Sequence, residues 1–203
     1  INSEATVERN GKQYQVKLET AFPLNGIISI TISGKDCSKI AIRHPAWSSG
    51  VKVKKNGREI FCERSESGYI LVDLDTQEIN RIDLEFQMEP IVIAANRKIS
   101  YDARKAAIIM GPLLYCFESI DNGSEIEELG LYAQGELETK RNSIAGKEIN
   151  TIYAKGTRRR ELEGDTLYGV YQEMKEDVKL TAIPYFLWNN RGEGEMKVWI
   201  PVE

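Results

Sequence analysis

The residues of this 203-residue chain that could do chemistry are few and scattered. Asp73 and Asp75 flank Leu74, and residues two apart in a strand share a face, so they are the candidates for paired acid/base work. Asp-Leu-Asp-Thr also fits a strand running into a turn. Asp83 and Glu85 alternate with apolar residues and belong on a solvent face. His44 is the sole histidine; Pro45 holds its backbone extended, which suits a packed imidazole. Cys116 lies in the apolar run Leu113–Phe117, where a thiol acts as a small hydrophobe and burial raises its pKa, the reverse of nucleophile activation. Cys37, Cys62 and Cys116 have no CxxC spacing and no Cys/His cluster, so a zinc site built within this chain is not expected. No GxSxG, P-loop or GxGxxG occurs.

Aromatic residues carry the binding signal. Trp47, Trp188 and Trp199, with Tyr185 and Phe186, are the set that can stack on the apolar face of a sugar ring. The same rings serve equally well in a core or an interface between domains.

The elements that must hold these residues read as strands. Tyr14, Val16 and Leu18, then Ile28, Ile30 and Ile32, then Ile82, Leu84 and Phe86 alternate with polar residues, the period of a half-buried strand. Strands are predicted near 13–20, 27–33, 38–43, 50–54, 58–62, 68–74 and 80–87, with Asn-Gly turn signals at Asn10, Asn25, Asn56 and Asn122. In Arg104–Gly123 two short apolar runs, Ala106–Met110 and Leu113–Phe117, flank Gly111-Pro112 and read as two buried strands. Weaker strands are predicted near 150–154 and 166–172, and strong ones at Thr181–Trp188 and Glu195–Val202. Glu125–Leu131 and Tyr171–Lys175 are at most short helical turns. The expected fold class is all-β: two consecutive antiparallel β-sandwiches, jelly-roll-like, with little helix. The first spans 1–95 and can recruit the last strand, about 195–203, at its edge; the second spans 96–194.

Composition sets the outer limits. Hydrophobic content of 41% and charged content of 29% belong to an ordinary globular protein. A net charge of −4 argues against a nucleic-acid partner, and no apolar run is long enough to span a membrane. Arg158-Arg159-Arg160 precedes Glu161, Glu163 and Asp165 and reads as a self-neutralising loop. Three cysteines suit a reducing, cytoplasmic location, with one disulfide plus a free thiol as the alternative.

Several segments together resemble one family. Thr20-Ala21-Phe22-Pro23-Leu24-Asn25-Gly26 is similar to its T-x-Y-P-w-d-G entry, and Arg43-His44-Pro45-Ala46-Trp47 to its R-x-P-x-W strand end. Asn56-Gly57 with Gly68-Tyr69 matches an N-G…G-Y hairpin. Gly111-Pro112-Leu113-Leu114-Tyr115-Cys116-Phe117-Glu118 resembles R-G-P-L-V-Y-C-x-E, with Met110 in place of the Arg. Ile183-Pro184-Tyr185 through Trp188-Asn189-Asn190-Arg191-Gly192, then Met196, Val198 and Trp199, resembles I-P-Y-x-x-W-x-N-R-G…M-x-V-W. The family is the β-L-arabinofuranosidase-like glycosidases, glycoside hydrolase family 127.

The resemblance implies that catalysis happens outside this chain. Family members carry an α/α helical barrel with the cysteine nucleophile, the glutamate acid/base and a zinc bound by cysteines and a glutamate, and none of those motifs occurs here. No catalytic residue is therefore assigned, no cofactor is expected in the chain, and zinc belongs to the barrel. The implied role is an accessory region that braces the barrel, its main partner; a second copy of the chain and an arabinose-containing glycan are further candidate partners. The expected contact residues, for barrel or sugar, are Trp47, Tyr185, Trp188, Asn190 and Arg191. The alternative role is a carbohydrate-binding module built on surface aromatics.

Overall fold

The computed structural model describes residues 2–75, 77–160, 167–170 and 174–203. The chain divides into two units, 1–89 and 90–203.

Among the described residues the first unit has eight strands: β1 (Ser3–Arg9), β2 (Lys12–Thr20), β3 (Ile27–Ser33), β4 (Lys39–Arg43), β5 (Val51–Lys55), β6 (Arg58–Ile60), β7 (Tyr69–Asp73) and β8 (Ile79–Phe86). Six form an antiparallel sheet in the order β1-β2-β3-β8-β5-β6, while β4 and β7 form a two-stranded sheet. Both sheets feed one core. Ile30, Ile32, Val53, Ile82, Leu84 and Phe86 enter it from the larger sheet, and Ile42, Ile70 and Val72 from the smaller. These are the alternating apolar residues of each strand, so period-two patterning becomes burial directly.

The second unit holds β9 (Pro90–Ala94), β10 (Lys105–Met110), β11 (Leu113–Glu118), the single helical turn α1 (Ser119–Asn122), β12 (Leu129–Leu131), β13 (Glu138–Ile144), β14 (Lys147–Arg160), β15 (Met174–Pro184), β16 (Met196–Lys197) and β17 (Ile200–Pro201). One antiparallel sheet runs β12-β14-β15-β11-β10-β17, with β13 added on β14, β16 on β11 and β9 on β10. A bridge between Leu131 and Val202, with the Glu203 N–H donating to the Leu131 carbonyl at 3.0 Å, brings the last strand back to the first in this path. Strand β11 lies in the middle of the path, and Tyr115, Cys116, Phe117 and Glu118 are all buried. The buried Tyr115 hydroxyl donates to the Asn150 carbonyl at 3.0 Å, which satisfies its polar end.

The all-β class is as expected, and several local expectations change. The seam lies at residue 89 rather than 95, because β9 pairs with β10 throughout its length. The chain end pairs with β10 and β11 of the second unit, not with the first sheet. Asn10-Gly11 and Asn56-Gly57 have positive φ at both positions, as a type I′ hairpin requires. Asn25 does not, and Asn122-Gly123 ends α1, with Gly123 at φ 86°. Gly111-Pro112 is the two-residue turn joining β10 and β11, Gly111 taking φ 58°. Strands β1 and β13 were not anticipated; every residue of β1 is exposed, so it lacks the apolar face that marks a strand. Arg158 and Arg159 are strand residues of β14 rather than a loop. Arg158 donates to the Asn122 carbonyl, and Arg159 pairs with Glu203 at 2.9 Å. Glu161, Glu163 and Asp165 lie outside the described residues, as do the ends of the strand predicted at 166–172 and the start of the turn at Tyr171–Lys175; the described residues 167–170 are not strand, and Met174 and Lys175 open β15.

Candidate functional site

Strand β15 ends at Pro184 and the chain makes one 3-10 turn, Tyr185–Leu187. Leu187 is buried and anchors the turn, while Tyr185, Phe186 and Trp188 stay 42–44% exposed. The Tyr185 and Trp188 rings stack, centroids 6.2 Å apart and planes 19° from parallel. Asn189 follows at φ 61°, a left-handed conformation that Asn tolerates, and turns the chain toward Arg191.

Arg191 holds this loop. Its Nη1 donates to Asp121 Oδ1 at 3.0 Å, and its Nη2 to Asp121 Oδ2 at 2.5 Å and to Glu118 Oε2. The Glu118 side chain is only 7% exposed, and its second oxygen accepts the Asn189 N–H at 2.9 Å. Hydrogen bonds to the two carboxylates hold the guanidinium in its charged form more firmly than usual. Neighbouring contacts reinforce the latch. The buried Asn122 amide donates to the Glu118 and Thr181 carbonyls at 2.9 Å and accepts the Thr181 N–H at 2.8 Å. The Ser119 hydroxyl accepts the Glu195 N–H at 3.0 Å.

The expected contact residues therefore divide. Tyr185, Trp188, Asn190 and Arg191 share one loop, with the Asn190 amide donating to the Trp188 carbonyl at 3.1 Å. Trp47 belongs to the first unit, half-buried against Phe22 (centroids 6.1 Å) and edge-on to Phe86 (6.0 Å). Buried His44 meets Phe86 edge-on at 5.8 Å. Trp199 is half-buried beside β17. Glu118, Asp121 and Asn122 were not anticipated. The signal available was a carboxylate, Glu118, ending an apolar run, where only a buried cation could accompany it.

The paired-carboxylate candidates, Asp73 and Asp75, take different partners. Asp73 pairs with Lys39 at 3.2 Å, whereas Asp75 pairs with Lys55 and accepts the Asn56 amide, both at 2.8 Å. Those bonds hold the Asp75 carboxyl below its ordinary range, the reverse of a general acid. Burial pushes the Cys116 thiol up to about 12. Among the described residues no three Cys, His, Asp or Glu side chains converge as metal ligands.

The fold and site thus define an all-β chain of two units, the second carrying a buried Arg191–Glu118–Asp121 latch beneath an exposed aromatic pair. The family model of the β-L-arabinofuranosidase GH127 middle domain matches residues 1–88, and that of the GH127 C-terminal domain matches 90–201. The chain belongs to glycoside hydrolase family 127. It is 28% identical over 198 residues to the non-reducing end β-L-arabinofuranosidase of Bifidobacterium longum subsp. longum, covering 91% of this chain and 30% of that protein. The crystal structure of a GH127 β-L-arabinofuranosidase from Geobacillus stearothermophilus T6 superposes with a TM-score of 0.87 at 29% identity, over all of this chain and 33% of that one. A second solved structure, described as a glycoside hydrolase, shares the fold with a TM-score of 0.85 at 24% identity, over 99% of this chain and 34% of that one. The chain thus spans about a third of the length of these relatives. No helix among the described residues is long and apolar enough to cross a membrane.

Proposed function

We propose that this chain is the non-catalytic β region of a β-L-arabinofuranosidase-like glycosidase, packing against and stabilising an N-terminal α/α-barrel catalytic domain. The observation that carries the reading is coverage: the chain matches a middle and a C-terminal domain and accounts for about a third of its relatives. The buried ionised cluster of Arg191 with Glu118 and Asp121 is spent on internal pairing rather than left open to a substrate. In this reading zinc resides in the barrel, and three free thiols suit the cytoplasm.

Hydrolysis of an aryl β-L-arabinofuranoside is the test. The full-length protein should turn it over and the isolated 203-residue chain should not; turnover by the isolated chain overturns the reading. A second reading, a carbohydrate-binding module, rests on the half-exposed Tyr185–Trp188 stack. Titrating arabinosides while following Trp fluorescence tests it, and an unchanged spectrum at millimolar sugar rules it out.

A further inference from the structure

Away from the aromatic loop, the second unit carries a groove of about 660 Å³, in the range of small-molecule sites. Its base is the outer face of β14 and β15, where Tyr153 and Lys155 alternate with the buried Ile152 and Ala154. Its rim is the segment that follows β12, fixed where the Tyr132 N–H donates to the Lys155 carbonyl at 3.2 Å. Two tyrosines line the groove and both hydroxyls are oriented. Tyr132 donates to Asp177 Oδ1 at 2.7 Å, which leaves its oxygen free to accept. The Tyr153 hydroxyl accepts from the Asn142 amide at 3.1 Å, which leaves its proton free to donate. Lys179 sits 4.3 Å from the centre of the Tyr153 ring and pairs with Glu138 at 3.5 Å, so this wall is held in place.

Against these engaged groups stand two free ones. Glu136 and Lys155 line the groove and their side chains have no hydrogen-bond or ion-pair partner among the described residues. The lining thus offers an unused carboxylate acceptor, an unused ammonium donor and two half-used phenols. Three carboxylates, Glu136, Glu138 and Asp177, nearly balance Lys155 and Lys179. A near-neutral field does not favour a polyanion such as a nucleic acid or a phosphosugar. It suits an uncharged ligand rich in hydroxyls, each of which both donates and accepts, with apolar C–H faces to lie against the rings.

We propose that this groove binds a neutral, arabinose-type saccharide, as an ancillary site separate from the aromatic loop. The choice of sugar rests on the glycosidase reading above; the geometry of the groove does not. The test is an NMR titration of the 203-residue chain with a methyl β-L-arabinofuranoside, alongside Tyr132→Ala and Lys155→Ala. The expected result is saturable binding that perturbs Tyr132 and Tyr153 and weakens at least tenfold in each variant. Lys155 is exposed, so its variant tests the site even if Tyr132→Ala destabilises the fold. Absence of saturable binding, or wild-type affinity in Lys155→Ala, overturns the proposal. Arabinofuranoside hydrolysis by the full-length protein separates the failures. If the enzyme is active while the groove stays empty, only the groove proposal falls; an inactive enzyme brings down the glycosidase reading itself.

Discussion

Arg191 and Glu118 are 73 positions apart and meet where β11 ends, the carboxylate 7% exposed and the guanidinium spanning it and Asp121. A buried carboxylate is tolerated only when paired and fully hydrogen-bonded, and Glu118 has Arg191 on one oxygen and the Asn189 N–H on the other. The pair therefore ties the aromatic loop to the buried end of β11.

Removing one partner leaves the other charged and buried. Arg191→Ala should lower stability by about 3–5 kcal/mol, measured by urea unfolding. The double variant Arg191→Met with Glu118→Gln should recover part of that loss, because the uncompensated charge is gone. A single variant as stable as wild type would contradict the latch.

The thiols should react in order of burial. With Cys116 fully buried and its thiol pushed up to about 12, it stays protonated and shielded at pH 8. Iodoacetamide should therefore modify at most Cys37 and Cys62 in the native chain, and all three after denaturation. Mass spectrometry of tryptic peptides reads this directly.

The β13–β14 hairpin turns on Ala145-Gly146, with φ of 49° and 73°. A type I′ turn needs positive φ at both positions, and alanine there carries steric strain that asparagine largely avoids. Ala145→Asn should raise stability by up to about 1 kcal/mol, seen as a higher Tm.

Glu203 supplies a pH signature. Its side chain accepts hydrogen bonds from Lys175 (2.7 Å) and Arg159 (2.9 Å), which hold its carboxyl below the ordinary glutamate range. A carboxyl whose folded-state pKa is depressed adds stability that is complete above its unfolded value, about 4.3, and is lost as pH falls through the folded value. The stability gap between wild type and Glu203→Gln should therefore be level above about pH 5.5 and close progressively below about pH 4.

How much was legible in the sequence depended on whether the signal was local. Ile28, Ile30 and Ile32 mark β3 because an alternating strand with one buried face writes its burial into its own residues. Gly111-Pro112 marks a two-residue turn because glycine and proline constrain the backbone whatever surrounds them. By contrast β1 is exposed throughout, and β13 closes on an Ala-Gly turn, so neither carries such a mark. Within the candidate site the aromatics and Arg191 stood out by type, while Glu118 and Asp121 did not.

What the sequence by itself determined is the all-β class, most strand positions and, through motif order, membership of family 127. Tertiary structure alone decided three things. It placed Trp47 in one unit and Tyr185 with Trp188 in the other, set Asp73 and Asp75 on different partners, and closed Arg191 onto Glu118. The physical reason is range. Backbone preference and burial period act over a few residues, but a salt bridge across 73 positions exists only after strand pairing has brought its two ends together.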